Sequence, residues 1–229
     1  MFWEEEEDKT LPYQAPDDIV DVLFALKCKT LPLDHAWALS EALQTQLPWI
    51  KDDEQLGIHQ IHVAESANGW MRPDDSEREL LYPSRRTRLS LRLHKNRLTD
   101  IEALSGQTLS IDGHSLTIGS MKTKALINAS VIFSRYVASD ATESENDFLM
   151  RMSDDIFQLT SVKVKKMMCG KSHHIQTPSG ALHTRHLMIA DLDSEPSITI
   201  QQYGLGEHRK LGCGLFLAHK GIKSLKPNE

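Results

Sequence analysis

The chain has 229 residues, 40% of them hydrophobic, and 26 Lys and Arg against 32 Asp and Glu give a net charge of −6. That is enough apolar chain for one large core or two small ones. No apolar run approaches the roughly 18 residues of a membrane span and the acidic start Glu4–Asp8 is unlike a signal peptide, so membrane and secreted classes are set aside and a cytoplasmic protein is expected.

Residues 1–17 are acidic and carry two prolines, and they read as an N-terminal arm. From Asp18 the run Ile-Val-Asp-Val-Leu-Phe-Ala-Leu predicts a buried strand. Pro32 and Asp34 mark a helix start with Asp34 as N-cap, and Ala36, Leu39, Leu43 and Leu47 keep helical spacing up to Pro48. A second strand is expected over 58–64, and the polar stretch from Asn68 to Pro83 reads as a loop. Leu89, Leu91 and Leu93 alternate with Arg88, Ser90 and Arg92, which predicts a half-buried strand. A short helix near Ile101–Leu104 and a hairpin over 108–118, turning at Asp112-Gly113, complete the order β-α-β-β-α-β.

The same order is expected again after residue 122. Strands are read over 126–137, 162–169, 182–190 and 215–218, with an amphipathic helix over 145–160 and a short one over 195–203. The fold class is therefore α+β, two tandem ferredoxin-like (RRM-like) units over 18–122 and 123–229. Cys28, Cys169 and Cys213 are odd in number and far apart, and read as reduced thiols.

The segment Gly204-Leu205-Gly206-Glu207-His208-Arg209-Lys210-Leu211-Gly212-Cys213-Gly214-Leu215-Phe216 concentrates four glycines around a basic pair. Backbone N–H groups of such a loop can cradle phosphate oxygens, and Arg matches phosphate with a planar fork. A dinucleotide fingerprint would need Gly where Arg209 stands, and a Walker loop would need Gly-Lys-Ser/Thr. Two readings stay open, a loop for a phosphate-rich polymer and a Gly-rich turn between helix and strand. Residues 163–226 carry an excess of six basic charges although the chain is acidic overall, which points to a polyanion-binding face on the second unit. Lys165, Lys166, Lys171 and Arg185 belong to it, around the His-rich segment 170–180. Cys169 with His173 and His174 is weighed as a zinc site and set aside for want of paired ligand spacing, so no metal or other cofactor is expected.

The tandem order with its terminal GLGEHRKLGCGLF, together with Lys29-Thr30-Leu31-Pro32-Leu33-Asp34-His35 and Gly57-Ile58-His59, resembles the CRISPR repeat-processing endoribonucleases of the RAMP superfamily, over residues 18–222. The resemblance implies cleavage of CRISPR repeat RNA in precursor crRNA without metal, by attack of the substrate 2′-OH. The products are a 2′,3′-cyclic phosphate and a 5′-OH, with product retained among the subunits of an effector complex. It further implies that Gly204, Gly206, Gly212, Gly214, Arg209 and Lys210 bind RNA together with the basic hairpin. Histidine suits both proton transfers because its ordinary pKa lies near neutral. His35, beside a helix N-terminus, and His59, after the first helix, are the expected acid–base pair, while His62 reads as a surface residue. The alternative is a non-catalytic RNA-binding subunit of the same superfamily.

Overall fold

Alternation decides which face of each strand is buried, and helices cover that face in both halves of the chain. The computed structural model describes residues 15–63 and 80–219. The first fourteen residues of the acidic arm, most of the loop expected from Asn68, and the last ten residues lie outside the described residues.

The first half contains β1 (Ile19–Cys28), β2 (Leu31–Pro32), α1 (Ala36–Gln46), β3 (Gly57–Ile58), β4 (Leu80–Leu81), β5 (Arg88–His94), α2 (Leu98–Glu102), β6 (Thr108–Ile111) and β7 (His114–Ala125). The second contains β8 (Ile132–Ala138), α3 (Glu145–Thr160), β9 (Lys166–Thr177), β10 (Gly180–Ala190), α4 (Ser194–Tyr203) and β11 (Leu217–Ala218). The second sheet runs β11-β8-β10-β9, all antiparallel, which is the strand order of a ferredoxin-like unit. The first sheet, β3-β5-β1-β7-β6, has the same order with β6 added at its edge.

On β1, Val20, Val22 and Phe24 point one way, and Leu89, Leu91 and Leu93 on β5 join them against Leu39 and Leu43 of α1. Asp21 and Arg92 necessarily face the other side. In the second unit α3 buries Phe148, Met152 and Ile156 at a spacing of four against Ile132, Leu187 and Ile189. The helix starts at Ser144, whose hydroxyl accepts the Asp147 N–H at 3.1 Å, and ends at Ser161 in the left-handed region. A third cluster, Ala36, Ile175, Leu211 and Cys213 with Tyr136 and Leu182, joins the two units.

Several expected boundaries move, each because a partner distant in sequence intervenes. The helix cap is His35, and the Asp34 carboxylate instead accepts the Gln176 N–H of β9 at 2.7 Å. Strand β3 is only two residues long, because the Ile61 N–H is taken by the His35 ring and not by a neighbouring strand. Strand β7 pairs with β1 as far as Val20↔Ala125, so the unit boundary expected after 122 falls within it. Residues 126–131 are not strand. Side chains of α4 bind their carbonyls, with Gln201 donating to Ile127 O at 2.9 Å and Ser197 to Ala129 O at 2.6 Å. Conversely, β9 runs through Gly170 to Thr177, because the whole segment pairs with β10.

Candidate active site

Between the two sheets lies a buried charged pair that joins the halves of the chain. The Arg92 guanidinium is fully buried and binds Asp21 with both Nε (2.8 Å) and Nη2 (3.1 Å). Its Nη1 donates to Gln201 O at 2.6 Å and Phe216 O at 2.8 Å, both in the second unit. Burial alone would raise the Asp21 carboxyl, but Arg92 and His59 outweigh it and hold the group well below the usual carboxylate range. The only trace of this pair in sequence is one acidic and one basic residue on outward positions of two apolar-alternating strands.

The Gly-rich segment is folded into the same junction. Gly214 has φ +67°, and a Cβ there would lie 2.1 Å from Leu205 O, while its N–H donates to Tyr136 O at 2.7 Å. At Gly212, with φ +86°, a Cβ would press on Gln60 Cγ, Gln60 N and Ile58 O of the first unit at 3.0–3.2 Å. Backbone from the two units therefore approaches too closely there for a side chain. Arg209 donates to Tyr203 O, to Gln55 O at 3.0 Å and to Gln202 O at 3.1 Å, and burial draws its pKa down to about 10. Lys210 Nζ donates to Lys51 O at 2.6 Å. Both cations thus bind backbone carbonyls, and of the four glycines expected to face RNA only Gly206 is exposed, with Gly204, Gly212 and Gly214 buried.

The two expected histidines are not brought together. His35 is 1% exposed; its Nδ1 bonds to Pro32 O (2.9 Å) and Leu33 O (3.1 Å), and its Nε2 accepts the Ile61 N–H at 2.9 Å. Both ring nitrogens are engaged in one neutral tautomer, and burial lowers its pKa. His59 lies on the other side of the sheet, 3.6 Å from Asp21 Oδ1, with a side chain 12% exposed. Burial lowers its pKa as well, against the raising effect of Asp21, and its Nε2 is shielded without a hydrogen-bond partner among the described residues.

A different group of rings stands at the junction. The exposed His62 stacks on Tyr136 of β8, with centroids 6.0 Å apart and planes within 13°. Tyr136 meets His173 of β9 edge-on at 5.6 Å, and both are half-buried. Tyr136 packs on the cluster of Ala36, Ile175, Leu211 and Cys213, so the three rings lie beside the start of α1 and the Gly-rich segment. Nothing local in the sequence marks them, since they come from three separate elements.

The basic hairpin is only partly free to meet a ligand. Lys165 and Lys171 are exposed, Lys166 Nζ pairs with Asp191 Oδ2 at 2.6 Å, and Arg185 is tied to Ser139 Oγ (3.2 Å) and Glu143 O (2.6 Å). Among the described residues no three His, Cys, Asp or Glu side chains are gathered as metal ligands, and no helix is long and apolar enough to cross a membrane.

Comparison with known proteins gives a consistent answer. Residues 20–221 match the family described as "Cas6 Crispr". A Myxococcus xanthus (strain DK1622) protein named CRISPR-associated endonuclease Cas6 is 28% identical over 198 residues, covering 86% of this chain and 80% of that protein. The fold is similar to that of a Cas6-related protein from Pyrococcus furiosus, with a TM-score of 0.60 at 12% identity over 89% of this chain and 100% of that one. It is also similar to a structure described as a RAMP protein binding different RNA substrates, with a TM-score of 0.58 at 15% identity over 88% and 98% of the two chains. The tandem ferredoxin-like architecture is that of these proteins, and the chain belongs to the Cas6 family of CRISPR-associated endonucleases.

Proposed function

We propose that this protein, acting in the cytoplasm, cuts CRISPR repeat RNA within precursor crRNA, and that the 2′-OH of the substrate attacks the adjacent phosphate. The P–O bond to the 5′-oxygen breaks, leaving a 2′,3′-cyclic phosphate and a 5′-OH. One group must take the 2′-OH proton and another must protonate the leaving oxygen. We assign these two transfers to His62 and His173, with Tyr136 packed between them. The observation that carries the assignment is the ring contact His62–Tyr136–His173, partly open to solvent, at the junction of the two units.

His35 and His59 take positioning roles in this reading. His35 fixes the segment that carries His62 through its bond to the Ile61 N–H. His59 braces the Asp21–Arg92 pair. Arg209 and Lys210 clamp the two units, while Lys165 and Lys171 supply charge to hold RNA. The cut product stays bound and enters an effector complex with other CRISPR subunits.

The test is incubation of the purified protein with end-labelled repeat RNA in EDTA, followed by analysis of the new ends. A single cut ending in a cyclic phosphate supports the reading. Binding without a cut would make the protein a non-catalytic RNA-binding subunit.

A further inference from the structure

Tyr136 and His173 belong to the second unit and His62 to the first, so the three rings are held by different parts of the fold. Within the second unit His173 is fixed by the pairing of β9 with β10, where it faces Thr184 and its carbonyl accepts the Thr184 hydroxyl at 3.1 Å. That pairing sets His173 against Tyr136 but cannot set its distance from His62 across the junction. Strand β9 is the edge of its sheet, and no strand pairs with its outer side among the described residues.

Three consecutive residues at the start of α1 supply contacts that reach both ring-bearing segments. The half-buried Asp34 carboxylate accepts the Gln176 N–H at 2.7 Å, the short length of a charge-assisted bond. His35 accepts the Ile61 N–H at 2.9 Å and so holds the residue before His62. Ala36 is buried with Ile175 of β9 in the cluster that joins the units. One helix start therefore grips the segment of His62 with one side chain and the strand of His173 with two. Gln176 lies three residues beyond His173, about 10 Å along the strand. Side chains alternate along a strand, so His173 and Ile175 point to the same face, and a lift of β9 away from α1 carries the His173 ring with it.

We infer that Asp34 is a positioning residue for RNA cleavage: by holding β9 to the start of α1, it sets the distance between the two histidines that move protons. The inference rests on the assignment of those transfers to His62 and His173. Asp34 itself moves no proton and acts through His173. A displacement of about 1 Å between reacting groups costs on the order of 10²-fold in rate. The loss of one partly exposed hydrogen bond matters far less to stability.

The experiment measures single-turnover cleavage of end-labelled repeat RNA in EDTA, with the full chain in saturating excess. The variants are Asp34→Ala, Asp34→Asn, His173→Ala and the double variant Asp34→Ala with His173→Ala. Asp34→Ala should cut roughly 10- to 100-fold more slowly while binding repeat RNA within a few-fold of the parent. Its Tm should stay within about 4 °C of the parent. Asp34→Asn keeps an acceptor oxygen at the same place and should recover most of the rate. The double variant should be no slower than His173→Ala alone, because the two residues act as one unit. Hydrogen exchange at the Gln176 amide should quicken in Asp34→Ala and not in Asp34→Asn. Cleavage by Asp34→Ala at the parent's rate while His173→Ala is slow overturns the inference and leaves the ring assignment standing. Effects that multiply in the double variant also overturn it, since Asp34 then acts by another route. If His173→Ala cuts at the parent's rate, the ring assignment falls and this inference falls with it.

Discussion

Replacing Arg92 by Leu tests how the two halves are held together. The substitution leaves Asp21 ionised and buried without its partner, and strips Gln201 O and Phe216 O of their shared donor. Breaking a buried pair from one side costs about 3–5 kcal/mol. For a chain of this length each kcal/mol lowers Tm by roughly 2–4 °C, so a loss near 4 kcal/mol corresponds to about 8–16 °C. The pH dependence follows from Asp21. In the parent its pKa is held low, so its contribution is complete above the unfolded value of about 4 and disappears as pH falls below that. In the variant only His59 still opposes burial and the pKa rises from its value in the parent, so the penalty of the ionised group is largest near neutral pH and relaxes as pH falls. Thermal melts by circular dichroism at about pH 7 and pH 5 should therefore show a smaller gap between parent and variant at the lower pH. Asp21→Leu with Arg92→Leu should melt above the Arg92→Leu single variant, because no buried charge remains. A single variant that melts within about 2 °C of the parent at pH 7, where about 8–16 °C is expected, refutes the argument.

Arg209→Ala combined with Lys210→Ala should lower stability by roughly 1–3 kcal/mol in urea titrations, since carbonyls at Tyr203, Gln55, Gln202 and Lys51 lose their donors. The salt dependence of RNA binding should be unchanged, and a shallower slope would return both cations to the phosphate-binding surface. His35→Ala should cost about 1–3 kcal/mol by leaving the Ile61 N–H without an acceptor. Unfolding at the parent's urea midpoint would show that this bond contributes nothing.

What could be read from the sequence was whatever depended on neighbours along the chain. Helix α3 was legible from end to end because its cap, its four-residue apolar spacing and its end all lie within it. Strand β1 followed from its apolar run and β5 from alternation, and the tandem order followed from these and the other elements read in sequence. The glycines of the terminal segment were visible as unusual, but their reason was not. Gly212 and Gly214 make room for Gln60 and Leu205, and composition cannot tell that from room for a phosphate. The same limit hid the rings: His62 looks like a surface residue until Tyr136 and His173 are placed beside it. His35 was singled out by its place at the helix start, yet the bonds at both its nitrogens come from residues whose approach only the fold determines.

Single-turnover cleavage of repeat RNA in EDTA by the parent, His62→Ala and His173→Ala, with protein in excess, tests the central claim most directly. Each variant should cut at least about 10²-fold more slowly, the size of a general acid–base contribution, while binding within a few-fold of the parent. A repeat carrying a 2′-deoxy sugar at the cut position should bind and stay intact. Cleavage at the parent's rate by both variants would contradict the assignment of proton transfer to these rings.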